Sequence, residues 1–234
     1  MMTVFNKTNV AWMISIVLLL VCGSNLNAQH LSSKLQNPIT ARYLKNNLSK
    51  TSPRLVLNKD IEKKLKQKLK TDPVVQNVYK GMKQNAEAIF EQSIINLDIP
   101  LEERSQNNQL DISRDLLHRI SMLAMVYRIE KDPRILARIN EEVIAACNFP
   151  TWNPKHFLDV GEMSLGIALA VDWVGEDLPA STVKLAKKAL IEKGINPSWP
   201  ENGEDPNWAY GHNNWNQVCN GGLVAAAIVV AQEA

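Results

Sequence analysis

From Lys59 to the last residue, apolar side chains recur every three or four positions, and no stretch alternates apolar with polar among β-branched residues. A period near 3.6 belongs to amphipathic helices and a period of two to half-buried strands. A chain that carries the first pattern throughout and the second nowhere is expected to be all-α. Helix-start signals agree. Asp72-Pro73 and Asp132-Pro133 each set a capping acid before a proline suited to a first helical turn. They predict one helix with Val75, Val78, Met82, Ala86 and Ile89 in line, and another with Leu136, Ile139, Val143 and Cys147, stopped before Pro150. Lys59–Lys70 reads as a short Lys-rich helix with one apolar edge, Ile61, Leu65 and Leu69. Ser113 is placed to cap a helix with Leu116, Ile120, Leu123 and Tyr127 on one face. Asp159–Val174 is apolar on most sides, the mark of a helix buried between neighbours. Pro179 opens a helix through Val183, Ala186 and Leu190 that Gly194 closes. A loop from Asn196 to about Tyr210 precedes a last apolar helix from Asn214. Short links predict antiparallel helical hairpins packed in order, in the manner of a helical toroid or solenoid, with no repeated sequence motif.

The first residues read as an address. Lys7 is followed by Val10–Val21, an apolar run of 12 residues, too short for a bilayer that needs about 20 but suited to a signal peptide. Cleavage is expected near Ala28, which makes the protein periplasmic or secreted and free of the membrane afterwards. A lipoprotein signal would use Cys22 instead. Residues 29–52 form a basic arm and residues 53–234 the main domain. Charge is uneven: residues 29–70 carry 11 Lys/Arg against 2 acids, and residues 71–234 carry 14 against 22. A net charge of +2 argues against a dedicated nucleic-acid binder. Cys147 and Cys219 lie in no CxxC or Cys/His spacing, so they read as small buried apolar residues.

Aromatic residues concentrate late. Phe149, Trp152, Phe157, Trp173, Trp199, Trp208, Tyr210 and Trp215 fall within residues 149–215, several of them in loops rich in Pro and Asn. Flat rings beside amides suit a carbohydrate cleft, because a ring covers the apolar face of a sugar and Asn or Gln bonds its hydroxyls. Rings anchoring the ends of a helical stack are the plainer alternative. The densest polar cluster is Tyr210-Gly211-His212-Asn213-Asn214-Trp215-Asn216-Gln217, at the start of the last helix, where free N–H groups favour an anion. An N-cap explains one Asn, not four amides, a His and a Trp. A second cluster holds Trp152, His156, Asp159 and Glu162; Asp159 stands three residues after His156 and can orient its ring. No HExxH, GxSxG or phosphate-binding glycine loop is present, and no metal or other cofactor is expected.

Together these stretches resemble the helical toroid domain of the heparinase II/III-like polysaccharide lyases. The resemblance covers roughly residues 52–234. It rests on Pro53-Arg54-Leu55-Val56-Leu57, Asn148–Pro154, His156-Phe157-Leu158-Asp159 ahead of Glu162-Met163, Asp172-Trp173 and, most specifically, Asn213-Asn214-Trp215-Asn216-Gln217-Val218-Cys219-Asn220-Gly221-Gly222. It implies β-elimination on uronic-acid-containing polysaccharides: loss of the proton beside a sugar carboxylate, then expulsion of the glycosidic oxygen. A neutral amide that bonds the carboxylate stabilises the enolate-like state, a role the resemblance gives to Asn213 and Asn214. Many relatives follow that pair with a His base. Trp215 stands there here, so His212 or His156 would serve. Trp152, Trp208, Tyr210, Trp215, Asn216, Gln217 and Glu162 would line the substrate, an acidic polysaccharide or oligosaccharide. In that family the catalytic Tyr lies on a later helix and a β-sandwich later still; neither falls within these 234 residues, so the resemblance implies an incomplete α/α toroid, and residues 29–234 alone are expected to be inactive. A helical glycan-binding domain without catalysis, or an inactive fragment, is the alternative reading, and a helix-hairpin scaffold for protein partners a third.

Overall fold

In the computed structural model, the described residues are 40–97, 108–199 and 207–231. The signal-peptide reading and residues 200–206 of the expected loop lie outside them. Every regular element among the described residues is helical, so the protein is all-α. None of these helices is long and apolar enough to cross a membrane. The chain divides into two units, residues 1–48 and 49–234. In the first, the short helix α1 (Ala41–Asn47) is capped by Thr40, whose hydroxyl accepts the Tyr43 amide.

The second unit begins with α2 (Lys59–Thr71) and α3 (Pro73–Phe90), separated by Asp72 alone. The Asp72 carboxylate accepts the Val74 and Val75 amides and so starts α3, while its own N–H closes α2. α4 (Asn108–Glu130) and α5 (Pro133–Asn148) follow, and Asp132 caps α5 in the same way through the Arg134 amide. A 3₁₀ turn at Pro154–His156 leads into α6 (Leu158–Val174). Next come α7 (Ala180–Ala189), the four-residue α8 (Asn207–Tyr210) and α9 (Asn214–Val230). α6 is buried on nearly every side, as its composition predicts, because it packs between α4 and α9. Leu116, Ile120, Leu123, Ile139, Met163 and Ile167 form the centre of the core, each essentially without solvent exposure.

Two sequence expectations change here. Ser113 lies inside α4, which begins at Asn108; its hydroxyl donates to the Leu110 carbonyl and caps nothing. Gly194 does not close α7. The chain winds on through a π turn, Leu190–Ile195, and a 3₁₀ turn, Asn196–Ser198. Gly194 is buried within the π turn, where a Cβ would lie 2.7 Å from the Ser164 hydroxyl. Cys147 and Cys219 are both buried and unpaired, and burial pushes each thiol up to about 12.

The segment Pro53–Leu57 is fastened to the far end of α6. Buried Asp172 accepts the amides of Arg54 (2.6 Å) and Leu55 (2.8 Å), and the Trp173 indole N–H donates to the Leu55 carbonyl at 2.9 Å. Two stretches separated by more than a hundred residues thus form one buried joint.

Candidate active site at the starts of α6 and α9

The site grows from the turn before α6. Asn153 adopts a left-handed backbone (φ 55°), a conformation Asn tolerates better than most residues, and turns the chain into Pro154–His156. His156 and Asp159, three residues apart, then share one face. The His156 Nδ1 sits 2.5 Å from the Asp159 Oδ2, and the Asn153 side-chain amide donates to Oδ1 at 3.4 Å. Asp159 is fully buried, whereas His156 keeps part of its ring at the surface. A carboxylate on Nδ1 fixes the ring and leaves Nε2 as the nitrogen that can exchange a proton with a ligand.

One turn along, Glu162 is nearly enclosed. Arg114 of α4 donates to its Oε1 at 3.2 Å, while Oε2 is buried with no hydrogen-bond partner among the described residues. Burial pushes both carboxyls above their ordinary range. His156 and Asn153 oppose the rise at Asp159; Arg114 opposes it at Glu162, and the neighbouring Asp159 adds to it. A carboxyl with a raised folded-state pKa holds its proton longer in the folded than in the unfolded chain. Its contribution therefore falls as pH rises from its ordinary value, 4.5 for Glu162, through the raised one. Urea unfolding of the protein and of Glu162→Gln between pH 4 and 7 should show the variant gaining on the parent across that window and holding a constant offset above it. A constant offset at every pH would place the Glu162 pKa where the unfolded chain has it.

α9 supplies the other half. Asn213 is its N-cap, accepting the Trp215 amide at 3.2 Å. His212, Asn213, Asn214 and Gln217 are exposed around this helix start, and Tyr210 is 81% exposed beside it. Trp215 turns toward α6 and meets the His156 ring edge-on, centroids 4.8 Å apart at 83°. Trp208 stacks on Phe157 at 4.4 Å. Asn216 spends its side-chain N–H on the Ala209 carbonyl (2.6 Å) and so ties α8 to α9. The two polar clusters, more than fifty residues apart in sequence, meet at the His156–Trp215 contact.

Backbone-to-backbone approach sets this meeting. A Cβ on Gly222 would fall 2.0 Å from the Gly161 carbonyl oxygen, and one on Gly161 would fall 3.0 Å from the Cys219 Cα. Only glycine at 222 lets α6 and α9 lie this close, whereas a methyl group at 161 would ask the α9 backbone to give by a few tenths of an ångström.

Of the expected ligand contacts, Trp152 is corrected, and Glu162 and Asn216 are already engaged within the protein. Trp152 is fully buried, its indole N–H donating to the Ala146 carbonyl at the end of α5, so it presents no face to a sugar. Glu162 faces Arg114 beneath the surface instead of a groove. The Asn216 amide is engaged by the backbone. Arg114 is the participant that sequence reasoning missed; no local motif links it to a carboxylate 48 residues on. Among the described residues no group of three or more His, Cys, Asp and Glu is arranged to hold a metal ion. No protein-family model matches the chain, and no curated protein is found to be similar to it.

Proposed function

We propose that this protein is a polysaccharide lyase of the heparinase II/III-like kind, acting by β-elimination on uronic-acid-containing glycans, with its helices forming part of an α/α toroid. The observation that carries this reading is the junction of the His156–Asp159 pair with the amide-rich start of α9. Elimination needs a proton acceptor beside a neutral donor for the sugar carboxylate. His156, oriented by Asp159 and partly open to solvent, is the acceptor of choice over His212, for which no orienting partner is seen among the described residues. Exposed Asn214 at the first turn of α9 is the better placed amide, since Asn213 also serves as the cap. Trp215, standing where many members of that family carry His, then packs the base and is not a base itself. Trp208, stacked on Phe157, and exposed Tyr210 supply ring faces for flanking sugars. The fastening of Pro53–Leu57 to Asp172-Trp173 joins two more of the stretches on which the resemblance rests.

The test is Asn214→Ala in the whole product of the gene, assayed by the ultraviolet absorbance of unsaturated sugar released from acidic polysaccharides. Losing one donor to a developing oxyanion should lower turnover roughly 10²–10³-fold with the melting temperature little changed. Retained turnover reduces Asn214 to a surface residue. Binding of glycan by the parent protein with no unsaturated product would favour a non-catalytic glycan-binding domain.

A further inference from the structure

We propose that the lysine row of α2 is a docking strip for a linear acidic polysaccharide, set at the opposite end of α6 from His156. The inference rests on the acidic-glycan reading above. Lys59, Lys63, Lys66 and Lys70 follow one another at intervals of four, three and four, so they lie along one face of α2. With Gln67 and Arg128 they line an open groove of 470 Å³ in which Glu62 is the single carboxylate. That carboxylate is already neutralised: Arg128 reaches it at 2.5 Å and Lys66 at 2.8 Å. Lys59, Lys63 and Lys70 are exposed and have no ion-pair partner seen among the described residues.

The shape selects the ligand. Eleven residues of helix span about 16 Å, so the charges are strung out in a line and do not converge on one point. Such a row suits a polymer with repeating anionic groups better than a single small anion. Nothing aromatic lines the groove, whereas single-stranded nucleic acid is held by base stacking. A membrane-surface helix would insert its apolar edge, but of that edge Leu65 and Leu69 are half-buried and Ile61 alone is exposed. The Gln67 amide can bond sugar hydroxyls.

The position gives the strip its use. Arg128 also donates to the Trp173 carbonyl, at the last turn of α6, while Asp159 lies in the first. Fourteen residues of helix separate the two by roughly 21 Å. A chain held on α2 therefore leaves the His156 region clear, and tethering raises the effective concentration of the polymer there.

The experiment compares the full chain with the triple variant Lys59→Gln/Lys63→Gln/Lys70→Gln, titrated with heparin and with a polyuronate at low and moderate salt. The variant should bind roughly 100-fold more weakly, about fivefold for each lysine, with a shallower salt dependence and an unchanged melting temperature. The matching triple Lys→Arg variant should bind as the parent does. Equal affinity of parent and Gln variant would overturn the proposal. So would tighter binding of the parent to single-stranded DNA or to anionic vesicles, lost in the Gln variant, than to either glycan. Elimination is read separately: loss of binding in the Gln variant with no unsaturated product from the parent would sustain the strip and sink the lyase reading. Elimination by the parent with undiminished binding by the Gln variant would do the reverse.

Discussion

Replacing Glu142 by Ala should cost about 3–5 kcal/mol of folding stability, the range for removing one partner of a buried ion pair. Glu142 on α5 is wholly buried. Its carboxylate accepts from Arg119 and from Arg138, each at 2.8 Å, and from the Ile95 amide at 3.0 Å. The same two guanidiniums hold the chain that follows α3: Arg119 donates to the Ser93 carbonyl at 2.6 Å, and Arg138 to the Gln92 and Ser93 carbonyls at 2.9 and 3.1 Å. Ala at 142 leaves two nearly buried cations with carbonyl partners but no neutralising charge, and frees the Ile95 amide. Arg119 retains Asp115, at 2.7 Å on the α4 surface, which softens the loss on one side only. Denaturant midpoints measure the cost. A triple replacement, Glu142→Leu with Arg119→Met and Arg138→Met, should lose far less than Glu142→Ala, because it removes the stranded charges as well as the pair. If Glu142→Ala costs under about 1 kcal/mol, solvent reaches the cluster and the ion pairs are worth what surface pairs are worth.

This cluster marks the boundary of what periodicity and capping chemistry make legible. Helix starts at Asp72-Pro73 and Asp132-Pro133 were readable because the determinant is local: a carboxylate caps amides two or three residues on. The buried character of α6 was readable because it needs no knowledge of the neighbours. Ser113 misled because a hydroxyl near a helix start and one five residues inside it look alike in sequence; inside, it bonds back to Leu110. Trp152 misled because Pro and Asn around it suggest an open loop, whereas its ring tucks under the end of α5 and beside Gly194, a contact 42 residues distant. Nothing local announces that Arg119 and Arg138 will share Glu142, or that Arg114 will meet Glu162. The amide-rich start of α9 and the His156–Asp159 spacing were visible; their meeting at Trp215 depends on how α6 and α9 cross.

That crossing yields the second large effect, and it separates two adjacent glycines. Gly222→Ala should destabilise the protein by about 3 kcal/mol or more, at the upper end of overpacking penalties, while Gly221→Ala should stabilise it by up to about 1 kcal/mol. Both residues lie in the interior of α9, so both gain the same helix propensity from a methyl group. Their surroundings differ. Gly221 is exposed, and a Cβ there meets nothing within 4 Å. A Cβ on Gly222 would stand 2.0 Å from the Gly161 carbonyl oxygen and 2.6 Å from its carbon. These are backbone atoms of a buried helix, not the end of a side chain that can swing away, so α9 must withdraw from α6 as a body. Withdrawal opens the contacts around Cys219, Ala225, Ala226 and Val229, which bury the same side of α9. It also draws Trp215 off His156, so the loss reaches the candidate site without touching any of its residues. Tryptophan fluorescence alongside the unfolding midpoint reads both parts. Equal stabilities for the two variants would mean that α6 and α9 are not in glycine-to-glycine contact, and the geometry joining His156 to the start of α9 would fall with it.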